Sequence, residues 1–163
     1  MKRLTALGFA ILVAVLLYGC ASGPDARYVY EQDRRPEIGD TGPGGGMIYY
    51  ISGNEFWECS GDLGPATWGQ AGIDARNYQG GGFNNWDLPS LYGLEQMYYN
   101  LKRNGIGGLA DEFYWSNEGS SVFTSEALGF NFSKEAYFAH ESATRTTEQR
   151  FRAVRSFTWR RSQ

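Results

Sequence analysis

Histidine and cysteine are scarce in this chain of 163 residues, which contains one histidine, His140, and two cysteines, Cys20 and Cys59. Catalysis by a Ser–His–Asp or Cys–His arrangement needs a base beside the nucleophile. A single histidine in the aromatic run "YFAHES" is expected to be structural instead. Cys59 has no basic neighbour in the sequence to lower its thiol pKa, so a small buried side chain is predicted there. The chain is therefore not expected to be an enzyme.

The chain also lacks an excess of positive charge and a long hydrophobic run. Its formal net charge is −3, which gives no case for nucleic acid as a partner. Its one apolar run, "LTALGFAILVAVLL", follows Lys2 and Arg3 and ends at "LYGC". A run this short, with basic residues before it and a small residue at its end, is typical of a secretory signal and not of a membrane span.

The end of this run predicts an anchor. The cysteine directly after Gly19 resembles the lipobox of bacterial lipoproteins. In that motif the cysteine is acylated, and cleavage makes it the first residue of the mature chain. Residues 1–19 are therefore a predicted signal peptide and Cys20 is a predicted lipidation site. An ordinary signal peptide is the alternative. The first 19 residues hold two cations and no acid, so residues 20–163 carry a net charge of −5. The expected location is the cell envelope, with the outer membrane preferred to the inner membrane. In some bacteria an aspartate after the acylated cysteine is associated with retention in the inner membrane, and here that position is Ala21.

The rest of the chain divides by composition. Residues 20–37 are polar and are predicted to be a lipidated cysteine followed by a flexible tether. The domain is expected over residues 38–159, and residues 160–163 are expected to form a tail. Residues 60–85 are dense in Gly, Asn and Asp and predict a long loop. "LPSLYGLEQMYYNLKRNG" predicts one main helix capped by Ser90. Short β-type runs such as "MIYYI", "EFYWSN" and "AVRSF" complete an α+β domain with Gly-rich loops.

The stretch "IGDTGPGGGMIYY" contains five glycines within eight residues. A phosphate-binding P-loop needs a Lys-Ser/Thr pair and a following helix, whereas here Met47 and a β-type run follow. Collagen needs glycine at every third position over many triplets, and this stretch offers only three. Backbone freedom at the entry to a strand remains, so at least one of Gly44, Gly45 and Gly46 is expected to have a positive φ.

Four motifs in order, "IGDTGPGGGMIYYIS", "WDLPSLYGLEQMYYNL", "FYWSN" and "FRAVRSF", resemble the bacterial Lcl C-terminal domain family, named after a collagen-like adhesin and long catalogued as a domain of unknown function. The resemblance spans about residues 38–157. It implies a C-type-lectin-like single domain and a non-enzymatic binding role. The residues that carry the motifs as structural positions are Gly44, Gly45, Gly46, Trp86, Leu88, Pro89, Ser90, Tyr114, Trp115, Ser116, Arg152 and Arg155.

The C-terminal segment is the one local concentration of charge, with six arginines from Arg145 onward against one acid, Glu148. Guanidinium groups pair bidentately with oxyanions, and the adhesin that names the family binds sulfated glycosaminoglycans. Arg152 and Arg155 are expected to form structural pairs instead. The candidate residues for an anionic glycan are therefore Arg145, Arg150, Arg160, Arg161 and Trp159.

Other chemistry is weakly supported by the sequence. "NNWD", residues 84–87, is similar to the Trp-Asn-Asp tripeptide of calcium-dependent lectins, but it precedes the helix and lacks the accompanying Glu-Pro-Asn. No cofactor or metal is therefore expected, and a Ca²⁺ site formed by loop carboxylates is the alternative. The leading hypothesis is a lipid-anchored glycan-binding or adhesion module. A structural or protein-interaction lipoprotein is the alternative. A hydrolase is third, because nothing selects two carboxylates among Asp62, Asp74, Asp87, Asp111 and Glu112.

Overall fold

The computed structural model describes residues 29–32 and 34–161. In chain order the strands are β1 Val29–Gln32, β2 Met47–Ser52, β3 Glu55–Cys59, β4 Pro65–Ala66, β5 Phe113–Gly119, β6 Glu126–Asn131, β7 His140–Thr144, β8 Gln149–Arg150 and β9 Val154–Arg161. The helices are α1 Trp68–Asn77 and α2 Leu91–Asn100, with 3₁₀ turns at Gly80–Gly82, Lys102–Asn104 and Ala136–Phe138. The predicted signal peptide and Cys20 lie outside the described residues.

The strands form two sheets. The first has the order β1-β9-β3-β2, in which β1 runs parallel to β9 and the other pairs are antiparallel. The second has the order β4-β8-β5-β6-β7. The result is a small single domain with mixed α and β content, so the predicted α+β class is confirmed.

Helix α2 begins where its sequence predicts. The Ser90 side chain accepts a hydrogen bond from the Gly93 amide at 3.0 Å, which satisfies one of the free donors of the first turn. Leu94, Met97 and Tyr98 form its buried stripe. Gly105 ends the following 3₁₀ turn with φ +69°, the left-handed conformation that glycine adopts without a steric penalty.

The core has three parts. Below α2, Leu94 and Met97 pack between the sheets with Tyr114 and Phe130. Beside α1, Trp86 and Trp115 pack with small residues including Ala71 and Ala75. On the other face of the first sheet, Ile48 packs on Phe56 and Phe157, whose rings stack at a centroid distance of 5.5 Å.

Residues 60–85 are not one long loop, because α1 lies within them. Its buried residues are Ala71, Gly72 and Ala75. These side chains are too small to create a marked apolar stripe in the sequence, and the two glycines lower the intrinsic helix propensity. The structure therefore contains two α-helices, whereas the sequence predicted one main helix.

Both predicted ends of the domain also need correction. The segment predicted as a tether over 20–37 contains β1, which pairs with β9 from Val29 opposite Thr158 to Gln32 opposite Arg161. Arg160 and Arg161 therefore belong to a strand and not to a tail. Strand β1 has only four residues, and its pairing partner is more than 120 positions away, so local pattern gave no sign of it.

Candidate functional site

The glycine-rich turn closes on a carboxylate of the protein itself. Gly42 donates its amide to the Gly46 carbonyl at 2.8 Å, and Gly45 has φ +76°, as the sequence predicted for at least one glycine here. The amides of Gly44 and Gly46 each donate to a carboxylate oxygen of Glu58 at 2.9 Å. Successive backbone amides of this kind form an anion-binding concavity. Glu58 occupies it, so the turn has a structural role.

Glu58 also forms an ion pair with Arg155, and both side chains are fully buried. The Arg155 Nε donates to the Asn85 side-chain oxygen at 2.9 Å, and the guanidinium lies 3.8 Å from the centre of the Phe83 ring. Burial raises the pKa of Glu58, while the glycine amides and the Arg155 charge act in the opposite direction. The pair joins β3, β9 and the loop before Trp86 at one buried point.

Arg152 is buried separately from Arg155. Its guanidinium donates to the carbonyl of Ser60 at 3.0 Å and to that of Gly108 at 2.8 Å. It also lies 3.9 Å from the sulfur of Cys59, which is completely buried. Burial raises the pKa of the Cys59 thiol. Cys59 is therefore a buried core side chain, as the sequence predicts.

The other structural motif positions are also in the core or at an element boundary. Trp115 is fully buried and donates its indole N–H to the Ala66 carbonyl at 2.9 Å, and the Ser116 hydroxyl donates to the Leu128 carbonyl at 2.9 Å. Trp86, Leu88 and Pro89 are buried, Ser90 caps α2, and Tyr114 packs below it.

Arg150, a predicted anion-binding residue, is engaged by two acids. It lies 3.2 Å from Asp62 and 2.8 Å from Glu112. Asp62 also accepts the Tyr114 hydroxyl at 2.6 Å. Burial by itself would raise the pKa of Asp62, but the hydrogen bonds from Tyr114 and Gly64 and the Arg150 charge together lower it. Burial and the bond to Asp62 raise the pKa of Tyr114 to about 12. This network ties β5 and β8 to the loop after β3.

The remaining candidates are divided between the two sheets. Arg145 follows β7 in the second sheet, where its guanidinium lies 4.3 Å from the centre of the Trp68 ring and its Nε donates to the Glu126 carbonyl at 2.9 Å. Trp159, Arg160 and Arg161 belong to β9 in the first sheet. The five predicted anion-binding residues therefore do not converge on one surface.

One face of the first sheet carries partly exposed aromatic rings that the sequence interpretation missed. Tyr50 is paired with Trp57 across β2 and β3, and their ring centroids are 5.1 Å apart. Tyr92 of α2 stands edge-on to Tyr50 at 5.5 Å, with 3.2 Å between the two hydroxyl oxygens. Tyr92 is 52% exposed, and Tyr50 and Trp57 are half-buried. We call these three residues the aromatic face.

Polar side chains of β9 extend this face. Ser156 lies directly opposite Trp57, and because side chains alternate along a strand, Thr158 and Arg160 lie on the same side of the sheet. Arg160 is exposed. Trp159 and Arg161 lie on the opposite side, where Trp159 packs against the cluster that contains Phe157. Of the five predicted anion-binding residues, Arg160 is thus the one on the same side of the first sheet as the aromatic face, four residues along β9 from Ser156.

A sequence signal for this face exists. "SGNE" places two turn residues, Gly53 and Asn54, between two β-type runs, and a two-residue hairpin fixes the register of its strands. That register sets Tyr50 opposite Trp57. The contribution of Tyr92 has no such signal, because it depends on where α2 crosses the sheet.

An open groove of about 420 Å³ lies on the second sheet, between the start of α2, the loop joining β5 to β6, and β7. The residues that line it include Leu91, Val122, Phe123, Leu128, His140 and Ser142. His140 is exposed, and its ring lies edge-on to Phe130 at a centroid distance of 5.4 Å.

Within the described part of the chain, no group of three or more His, Cys, Asp or Glu side chains is arranged to hold a metal ion. None of the helices in that part is long and apolar enough to cross a membrane. Comparison with protein-family models and a search for similar curated proteins both find no match to this chain. The resemblance to the Lcl C-terminal domain family therefore stays a prediction from sequence motifs.

Proposed function

We propose that this protein is a lipid-anchored lipoprotein of the bacterial cell envelope whose single domain binds a glycan without enzymatic activity. The outer membrane is the preferred location, and the inner membrane is the alternative. The N-terminal run ending at "LYGC" supports the anchor. The motif resemblance supports a non-enzymatic binding domain with a C-type-lectin-like fold. The aromatic face supports the glycan, with the membrane, through the lipid, as the other partner.

The observation that carries the glycan proposal is the group formed by exposed Tyr92 with partly buried Tyr50 and Trp57, where α2 borders the first sheet. Tyrosine and tryptophan combine a large apolar ring with a polar group, so they suit a ligand whose surface alternates C–H groups and hydroxyls. Ser156 and Thr158 add hydrogen-bonding hydroxyls along the same face. Arg160 adds a cation for a sulfate or carboxylate group of an anionic glycan.

The test is binding to an array of neutral, carboxylated and sulfated glycans, followed by calorimetry on the best ligand. Trp57→Ala and Tyr92→Ala should each weaken binding at least tenfold, because stacking surface is lost. Tyr137→Ala is the control, since Tyr137 is 88% exposed in the 3₁₀ turn before β7, apart from the first sheet, and this variant should bind like the wild type.

Arg160 and Arg161 allow a matched test of whether Arg160 binds the sulfate or carboxylate group of the glycan. They are adjacent and exposed, but their side chains lie on opposite sides of β9. Arg160→Gln should weaken binding of a sulfated ligand and reduce its salt dependence, whereas Arg161→Gln should not. Equal effects of both substitutions would contradict a site on the aromatic face, and absence of any glycan ligand would end the proposal.

The second candidate function is a structural or protein-interaction role in the envelope. It is favoured by a different observation, the exposure of Val122 at 75% and Phe123 at 58% in one loop. A protein partner that is retained by Trp57→Ala and lost with Phe123→Asp would support this candidate.

A further inference from the structure

The aromatic face lies between two carboxylates. Glu55 is exposed on β3, two residues before Trp57 and therefore on the same side of the first sheet. Glu95 follows Tyr92 by three residues on α2, a spacing that makes the two side chains neighbours on the helix surface. Within the described part of the chain, neither carboxylate forms an ion pair. Negative charge therefore stands on both sides of the rings.

The charge of Glu95 acts on the Tyr92 side chain. The hydrogen bond with Tyr50 raises the pKa of Tyr92, and burial and the negative charge of Glu95 act in the same direction. The Glu95 carboxylate therefore lies close enough to the Tyr92 hydroxyl to affect it, and Tyr92 stays neutral over a wider range of pH.

The three rings of the aromatic face have different orientations. The Trp57 ring is tilted by 45° to the Tyr50 ring, and the Tyr92 ring is perpendicular to the Tyr50 ring at 90°. The face of an aromatic ring is negative, and a cation within about 6 Å of the ring centroid is attracted to it. Several non-parallel rings close to a carboxylate suit an organic ammonium group.

Elsewhere in the described chain, arginines lie over aromatic rings. Such pairs include Arg35 with Phe56, Arg103 with Tyr99, Arg145 with Trp68 and Arg155 with Phe83. Among the described residues, no arginine or lysine lies over the ring of Tyr50, Trp57 or Tyr92. The aromatic face therefore combines ring faces and carboxylates with no cation of these residues bound to them.

Arg160 is the cation on the same side of the first sheet. It lies four residues along β9 from Ser156, which is paired with Trp57, so the two backbone positions are about 13 Å apart. Charges at the surface are largely screened beyond about 8–10 Å at ordinary ionic strength. Arg160 thus does not prevent a cation from binding at the rings.

We propose that the aromatic face binds an organic ammonium group, carried by an amino sugar or by a choline substituent of the glycan. The rings attract the ammonium group, and Glu55 and Glu95 supply the opposite charge. The inference rests on the aromatic face of the proposed function and names the group of the ligand that this face binds. A sulfate or carboxylate of the same ligand can then reach Arg160.

The first test compares choline with its uncharged carbon analogue, in which a tert-butyl group replaces the trimethylammonium group. Both are titrated by calorimetry into the mature chain with Cys20→Ser, which removes the anchor. Choline should bind at least about fivefold more tightly, because the ring faces attract only the charged ligand. Trp57→Ala and Tyr92→Ala should each weaken choline binding at least about fivefold, and circular dichroism checks that each variant is folded.

The carboxylates have a matched control. Glu55→Gln and Glu95→Gln should each weaken choline binding by about two- to fivefold and leave binding of the uncharged analogue unchanged. Glu148→Gln should bind choline like the wild type, because Glu148 is exposed between β7 and β8, apart from the aromatic face. Equal effects of all three substitutions would contradict the assignment of Glu55 and Glu95 to the site.

The second test identifies the carrier of the ammonium group. A glucosamine oligomer is compared with its N-acetylated counterpart, at a pH at which the free amine is protonated. Tighter binding of the charged oligomer indicates an amino sugar, whereas choline binding without this preference indicates a choline substituent.

Two results would overturn the inference. One is equal affinity, or no affinity, for the charged and uncharged members of both ligand pairs, and the other is choline binding that Trp57→Ala leaves unchanged. If a sulfated glycan binds while both cations fail, the glycan proposal stands and the ammonium site is refuted. If choline binds and the array yields no glycan ligand, the ammonium site stands and the glycan proposal is refuted.

Discussion

At the scale of single residues, the centre of this domain is an ion pair between positions 97 apart in sequence, Glu58 and Arg155. Removing two charges from water costs several kcal/mol for each ion, and their attraction offsets this cost only when the remaining polar groups are satisfied. Here the carboxylate also accepts two glycine amides, and the guanidinium also donates to Asn85. We infer that the pair fixes the register of β3 and β9 against the glycine turn.

Removing one partner should therefore be costly. Glu58→Gln should lower the free energy of unfolding by about 3 kcal/mol or more, because Arg155 is left as a buried charge without its counter-ion. The measurement is urea denaturation. Arg34→Gln is the control, because Arg34 pairs with Asp40 at 2.8 Å on the surface and its loss should cost less than about 1 kcal/mol. If both substitutions cost the same, the buried pair does not have the proposed role.

At the scale of elements, the turn before β2 contains two glycines that are required for different reasons. Gly45 has φ +76° with open space around it, so only its backbone conformation calls for glycine. At Gly44 a Cβ would lie 2.5 Å from a ring carbon of Trp86 and 2.8 Å from a Glu58 oxygen. Both distances are too short for a side chain, so Gly44 is required for steric reasons. The turn thus serves both as a backbone reversal and as a close-fitting cover for the buried carboxylate.

Alanine at each position separates the two requirements. Gly45→Ala should cost about 1–2 kcal/mol, the usual cost of left-handed backbone for a residue with a Cβ. Gly44→Ala should cost more, because it displaces Trp86 or Glu58. Gly69→Ala in α1 has open space and helical backbone, and it should be neutral or slightly stabilising in thermal melts. Neutral results at both Gly44 and Gly45 would contradict the structural role of the turn.

At the scale of the whole molecule, β1 shortens the segment between the predicted lipidation site and the domain. Only residues 21–28 separate Cys20 from Val29, the first residue of β1. A chain of that length reaches at most about 30 Å even when fully extended. An acylated Cys20 would therefore hold the first sheet within about one domain diameter of the membrane, closer than a tether ending at residue 37 would.

Acylation itself is directly testable. Cells grown with a fatty-acid analogue should label the wild-type protein, and Cys20→Ser should abolish the label because it removes the only thiol at the lipobox. Cys59→Ser should keep the label, since Cys59 is completely buried in the domain. Label that persists in Cys20→Ser would refute the anchor and, with it, the proposed location.

The sequence by itself determined the features that depend on neighbours along the chain. Ser90 and the apolar spacing after it predicted α2, and the glycine run followed by a β-type strand predicted a positive φ, which Gly45 has. Local sterics and side-chain periodicity decide both, so a short window of sequence is sufficient. The small-residue stripe of α1 gave too weak a periodic signal for the same procedure.

Only the tertiary structure decided which distant residues meet. The arginines of the C-terminal segment form one group in the sequence, but β7, β8 and β9 distribute them over two sheets. Arg150 and Arg155 form ion pairs with acids, and Arg160 lies on the side of the first sheet that carries the aromatic face. That face combines Tyr50, Trp57 and Tyr92 from two strands and a helix. Contacts of this kind are set by strand register and helix packing across the whole chain, and neither is encoded in a local pattern.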